Sequence, residues 1–378
     1  MTSPTNETCQ LMFTSAVLNS TAYDPPLMRE PSVRLHLNEN FYGPSNKCCA
    51  ATLPHDPAEF SMYAEGNKIL EDALAAHHGV DVDRVLVTLG AAGALQQIFA
   101  AVLSPGRSVL IPKPGWSYYR MLSMTMGSAM RDYPLVAGDG GWSVDYERLT
   151  SELEAEPSLV IINTPHMPTG STVDLQEILQ LARACPHSLF VVDQAYYGYA
   201  DQNELEPDQI EDYENILLVR TFSKLYALAS QRVGYITGSA AMLRQIRKLS
   251  PLFGIPLTAQ RSAAVALEEH EYYAEIAQET RKTRDRFIAA VNSTGEFLAY
   301  PSKSNFVLVE CLSRSSEHVT EHLRGRGYSI RDCRGYGLAH HVRVTLARPT
   351  MMETVAELML ERFNQEPEFG ANRSERIG

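Results

Sequence analysis

Three runs of purely apolar residues most constrain the fold: Leu159-Val160-Ile161-Ile162, Leu189-Phe190-Val191-Val192 and Leu217-Leu218-Val219. A strand turns successive side chains to opposite faces, so a run without a polar residue must be covered on both. Further β-type runs are Arg84-Val85-Leu86-Val87-Thr88, Ser108-Val109-Leu110-Ile111 and Gly234-Tyr235-Ile236-Thr237. Helical patterns lie between them, at Gly93 to Leu103 and Asp174 to Ala184. The alternation predicts an α/β protein with a mostly parallel central sheet. From about Glu268 the character changes. A long charged helix to Asn292 leads into Phe306-Val307-Leu308-Val309 and Val342-Arg343-Val344-Thr345-Leu346, which predicts a smaller α+β domain. The expected division is an N-terminal arm over 1–36 joining the small domain, a large domain over 37–265, a small domain over 266–366 and a tail over 367–378.

The 378 residues suffice for two such domains, each with its own core. A net charge of -12 without a basic stripe argues against nucleic-acid binding. No stretch has the apolar length that spans a bilayer, and the N-terminus shows no basic segment followed by an apolar run. The six cysteines form no C-x-x-C pair, and adjacent Cys48-Cys49 is poor metal-ligand spacing. They read as free thiols of a cytoplasmic protein with no metal centre.

Ligands of parallel sheets sit at the carboxyl ends of the strands, where the polar signals of this chain also fall. Lys224, in Arg220-Thr221-Phe222-Ser223-Lys224, follows one such run. A lysine there can form a Schiff base with an aldehyde while hydroxyls and arginines hold a phosphate. A pyridine aldehyde with a phosphate tail also requires an acid beside its ring nitrogen, and Asp193 closes the preceding run. Tyr196 is placed to serve the ring hydroxyl, and Trp116 to stack on the ring. Gly90-Ala91-Ala92-Gly93 joins a strand to a helix, so its amides can face an anion, with Ser223 and Arg232 added. Arg343, within an apolar strand, suits a substrate carboxylate. Each residue alone has an ordinary alternative: Asp193 as a turn or capping aspartate, Trp116 as core, Arg343 in an internal salt bridge.

Together these segments resemble the fold-type I pyridoxal-phosphate enzymes of the class I/II aminotransferase family, most of all the histidinol-phosphate aminotransferase branch. The matching pieces occur in family order over roughly residues 35–350. They are Leu37-Asn38-Glu39-Asn40-Phe41-Tyr42-Gly43-Pro44, Thr164-Pro165-His166-Met167-Pro168-Thr169-Gly170, Val192-Asp193-Gln194-Ala195-Tyr196, Arg220 to Lys224, Arg232-Val233-Gly234-Tyr235, Ser304-Asn305-Phe306-Val307-Leu308 and Val342-Arg343-Val344-Thr345. The resemblance implies pyridoxal 5'-phosphate as cofactor, an aminotransferase-like large domain and a homodimer with shared active sites. Its substrates would be an amino acid, or an amino-acid-like amine, and a 2-oxo acid. By the same resemblance Lys224 is the Schiff-base lysine and proton shuttle, Asp193 pairs with the pyridinium and Tyr196 contacts the ring oxygen. Ala91, Ala92, Ser223 and Arg232 hold the phosphate, to which Tyr63 is lent by a neighbouring subunit. Arg343 takes the substrate carboxylate and Asn38 lies on the substrate side. Arg331 matches an arginine for the substrate's distal group, although a solvated surface arginine would look the same.

One departure bears on the chemistry. The family loop carries asparagine where this chain has Met167, and that asparagine donates to the ring oxygen. A thioether cannot donate. The oxygen then lacks one charge-assisted bond, worth roughly 1.5–3 kcal/mol. Asn163 and His166 are the nearby candidates to compensate. Gln194 likewise replaces a common glutamate. Met167 keeps a second reaction class in view, a pyridoxal-phosphate lyase, decarboxylase or cyclase. A third reading is a binding protein that retains the fold without catalysis.

Overall fold

The apolar runs form strands in a computed structural model that describes residues 12–22, 32–53, 56–138, 140–200 and 204–361. Most of the expected arm and the whole tail over 367–378 lie outside the described residues. The strands are β1 (Val33–Leu35), β2 (Val85–Thr88), β3 (Ser108–Lys113), β4 (Ala129–Gly138), β5 (Gly141–Val144), β6 (Leu159–Asn163), β7 (Leu189–Asp193), β8 (Ile216–Thr221), β9 (Gly234–Gly238), β10 (Phe297–Ala299), β11 (Phe306–Cys311), β12 (Tyr328–Asp332) and β13 (His341–Thr345).

Eight of them make one sheet in the order β2-β9-β8-β7-β6-β3-β4-β5. The pairs β8·β7, β7·β6, β6·β3 and β3·β4 are parallel, while β9 and β5 run antiparallel to their neighbours. Alternation along the strands divides the core. Leu159, Ile161, Val191, Leu217 and Val219 pack on one face, and Val160, Ile162, Phe190, Val192, Ile216 and Leu218 on the other. Each such side chain contributes about 1.5–3 kcal/mol by leaving water. Five parallel strands in a row bring Lys113, Asn163, Asp193 and Thr221 to one sheet edge, the edge predicted for ligands.

The other five strands form a second sheet in the order β1-β12-β13-β11-β10. Its core is closed by helices His270–Asn292 and Pro349–Leu360 through Phe287, Val291, Met352, Val355 and Met359. The long charged helix expected from Glu268 to Asn292 spans His270–Asn292, and a separate helix, Leu257–Glu268, precedes it across Glu269. We propose that the chain divides between the sheets near this point, with residues 33–35 joining the smaller part across β12. Phe306 of the small sheet packs edge-on against Tyr196, in the turn after β7 of the large one, with ring centroids 5.0 Å apart.

Candidate active site

The two sheets enclose a cavity of about 350 Å³ beyond the carboxyl ends of the parallel strands. It is lined by Asn38, Ala91, Ala92, Trp116, Met167, Asp193, Tyr196, Ser223, Lys224, Arg232, Arg331 and Arg343. Twelve residues singled out from the sequence thus meet at one place. Tyr63 does not: it is 79% exposed and stacks on Phe253 at 4.0 Å, away from the cavity of its own chain. Asn163, considered above as compensation for Met167, also lines it, and lining residues that sequence reasoning missed include His36, Tyr118, Tyr119, Thr221 and Tyr336.

Lys224 follows β8 and points its Nζ into the cavity, where it donates to the Leu37 carbonyl at 2.8 Å. Burial, and then the Arg343 and Arg232 charges, push its amine down to about 7, with Glu39 opposing. At neutral pH much of it is therefore an uncharged nucleophile.

Asp193 is buried at the end of β7. Its Oδ1 accepts from the Ala195 amide at 3.0 Å and its Oδ2 from the Tyr119 hydroxyl at 2.5 Å. Burial raises its carboxyl to about 6, against the pull of those two hydrogen bonds. Tyr196 accepts from Asn38 Nδ2 at 2.7 Å, and Asn38 Oδ1 in turn accepts from Thr345 at 3.0 Å. The Tyr196 oxygen is thereby held while its own proton is left for another acceptor. Asn38, expected on the substrate side, lines the cavity and also braces Tyr196.

The helix Gly90–Val102, whose Ala91 and Ala92 line the cavity, begins with no side-chain cap, so its first amides keep free donors. Arg232 closes on this turn. A Cβ placed on Gly90 would come within 3.0 Å of Arg232 Nη2, and Gly90 holds φ +69. Arg232 Nη1 also reaches Ser223 Oγ at 3.4 Å. Uncapped amides, a hydroxyl and a guanidinium around one point suit a phosphate. Trp116 stands at the start of helix Ser117–Met126, beside this turn. An electron-poor ring with a phosphate arm therefore suits the residues present: anion donors, the Asp193 carboxylate and Lys224 line one cavity.

Arg343 and Arg331 line the same cavity. They sit opposite each other in the antiparallel register of β12 and β13. Arg343 donates to the His36 carbonyl at 2.7 Å and lies over the Phe306 ring. The Arg331 guanidinium lies over Tyr336. Among the described residues neither arginine pairs with a carboxylate, and the Nε of each is buried without a hydrogen-bond partner. The internal salt bridge entertained for Arg343 is therefore not what holds it.

Met167 is 6% exposed and meets Arg343, whose Nη1 lies 2.8 Å from its sulfur. The two residues considered as compensation are committed elsewhere. Asn163 accepts from the Met167 amide at 2.7 Å and donates to the Asp193 carbonyl at 3.0 Å. His166 is buried outside the cavity lining, with Nδ1 on Thr169 at 2.8 Å, and burial pushes its imidazole down to about 3. Gln194 accepts from Arg220 Nε at 2.9 Å, and Glu206 at 3.1 Å supplies the carboxylate that position 194 lacks.

The chain is similar to known proteins over most of its length. The family "Aminotransferase class I and II" matches residues 33–359. A histidinol-phosphate aminotransferase of Halorubrum lacusprofundi is 32% identical over 90% of this chain and 92% of its own length. The enzyme of that name from Haloferax volcanii is 30% identical over 94% of this chain and 95% of its own. In three dimensions the chain matches the histidinol-phosphate aminotransferase of Sinorhizobium meliloti, solved with pyridoxal 5'-phosphate. The TM-score is 0.80 at 24% identity, covering 92% of this chain and 97% of the other. Such a likeness speaks for the fold; the family match and the two relatives carry the assignment, and the chain belongs to the class I and II aminotransferase family.

Proposed function

We propose that the chain is a pyridoxal-phosphate-dependent aminotransferase that moves an amino group from an anionic amino donor to a 2-oxo acid. The observation that carries this reading is one cavity holding Lys224, with its amine near neutrality, and two arginines that have no carboxylate partner among the described residues.

When bound, the cofactor supplies an electron sink for the charge that develops at the substrate's Cα. The chain's residues do the rest. Ala91 and Ala92 amides, Ser223 and Arg232 hold the phosphate. Trp116 covers a ring face. Asp193 keeps a proton on the ring nitrogen, and Tyr196 serves the ring oxygen. Lys224 Nζ would take the proton from the substrate's Cα and deliver it across the transferred nitrogen, a task that suits an amine poised near 7 in both directions. Arg343 and Arg331 orient the substrate through its anionic groups, and the histidinol phosphate of the relatives' name is the first donor to test.

Tyr63 acts in trans in this reading, within a homodimer. Support comes from its position outside its own cavity, beside exposed Met62, Leu252 and Phe253. A cytoplasmic setting agrees with five described cysteines that are all free. No helix among the described residues is long and apolar enough to cross a membrane.

Incubating the loaded protein with a panel of amino donors tests the reaction class. Recovery of pyridoxamine 5'-phosphate, reversed by a 2-oxo acid, is the expected result. Release of carbon dioxide or ammonia without that form contradicts it. Met167→Asn tests the departure from the family loop. An amide donor favours the deprotonated state of the bound chromophore, so the visible band titrates about one unit lower or more in the variant. An unchanged titration means that position 167 does not face the ring oxygen.

A further inference from the structure

We propose that Tyr119 is a positioning residue that orients Asp193 and keeps it anionic toward the cavity. The inference rests on the reading of Asp193 given above and adds a residue to it.

Tyr119 is 1% exposed and sits one helical turn after Trp116, whose ring it meets edge-on at 5.7 Å. Its place among Leu95, Ile98 and Leu122 would by itself suggest simple core packing. The hydroxyl says more. It points out of that core to Asp193 Oδ2 at 2.5 Å. Burial, and then the Asp193 carboxylate, hold the phenol well above its ordinary range, so it stays protonated and must donate. Among the described residues the carboxylate it meets has no ion-pair partner, and the Tyr119 hydroxyl and the Ala195 amide oppose the effect of its burial. A buried carboxylate without a cation depends on donated hydrogen bonds to remain ionised.

The geometry also fixes direction. Ala195 holds Oδ1 and Tyr119 holds Oδ2, so the carboxyl plane cannot rotate freely. A proton on Asp193 would remove the charge that binds a pyridinium. Tyr119 opposes that protonation without touching the reacting atoms. The same helix end thus delivers Trp116 to the cavity and a support to the acid behind it.

The test reads the carboxyl directly in the full-length chain. Aspartate side chains are labelled with ¹³C and the Asp193 resonance is assigned by its loss in Asp193→Asn. Its titration midpoint is followed in wild type and in Tyr119→Phe, which deletes only the hydroxyl. The midpoint rises by about one unit or more in the variant, and the acid limb of pyridoxal 5'-phosphate binding moves up with it. 3-Fluorotyrosine placed at position 119 keeps the ring and strengthens the donor, so it shifts the midpoint the other way. An altered packing role alone would not reverse sign. Equal midpoints in all three proteins overturn the proposal, as does a downward shift in Tyr119→Phe. Should Tyr119→Phe fail to fold, the fluorotyrosine shift decides alone. Absence of cofactor binding in wild type would instead contradict the proposed function, because the carboxyl titration is read without cofactor.

Discussion

Replacing Lys224 by alanine lowers kcat for amino transfer by at least about 10⁴-fold, since proton transfer and covalent attachment are lost together. The size follows from the cavity's other titratable groups. Tyr196 is pushed up to about 12 by burial and is a poor base at neutral pH. Asp193 is committed through both oxygens. Lys224, brought down to about 7, is the group matched to a proton transfer near neutrality. The variant should still fold, because it removes a buried amine whose hydrogen bond is to the Leu37 carbonyl. The sign of the pH effect is also fixed. Attachment needs the uncharged amine, so in wild type its rate rises through pH 7 and levels above it. A rise deferred to near the ordinary lysine value of 10.5 would mean that the amine is not buried among cations. Burst kinetics with a saturating donor measure the loss, and a variant within tenfold of wild type contradicts the role.

The second large effect is at Asp193. Asp193→Asn keeps the shape and removes the charge, and an uncharged amide cannot stabilise a protonated ring nitrogen. Loss of a preorganised electrostatic partner in an enclosed site lowers kcat by about 10²–10³-fold. The amide also meets the Tyr119 hydroxyl with a weaker acceptor, so the positioning contact weakens with it. Steady-state kinetics of Asp193→Asn and Asp193→Glu separate charge from shape. Glutamate should recover part of the rate, and equal activity of wild type and Asp193→Asn would exclude a counter-charge role.

Much of this site was legible because each element ends where its chemistry begins. Asp193 closes β7, Lys224 follows β8 and Ala91 opens a helix, so local pattern and site coincide. Strands that lie inside a sheet are readable for the same reason: both faces are apolar, and the run stands out. The hairpin of β4 and β5 escaped because one of its faces is partly exposed and its apolar signal is broken. Tyr119 escaped because its partner lies 74 residues away and nothing local distinguishes it from a core tyrosine. The fate of Arg343 needed the structure too, since a lone arginine in an apolar strand cannot reveal which partner it lacks. Met167 was visible as a departure, whereas its contact with Arg343, and the commitment of Asn163 to the backbone, depend on how the loop folds back on β7.

Borohydride reduction of the chain loaded with pyridoxal 5'-phosphate, followed by peptide mass mapping, tests the central claim most directly. The account predicts one phosphopyridoxyl group, on the peptide containing Lys224. A label on any other lysine, or no label, contradicts it.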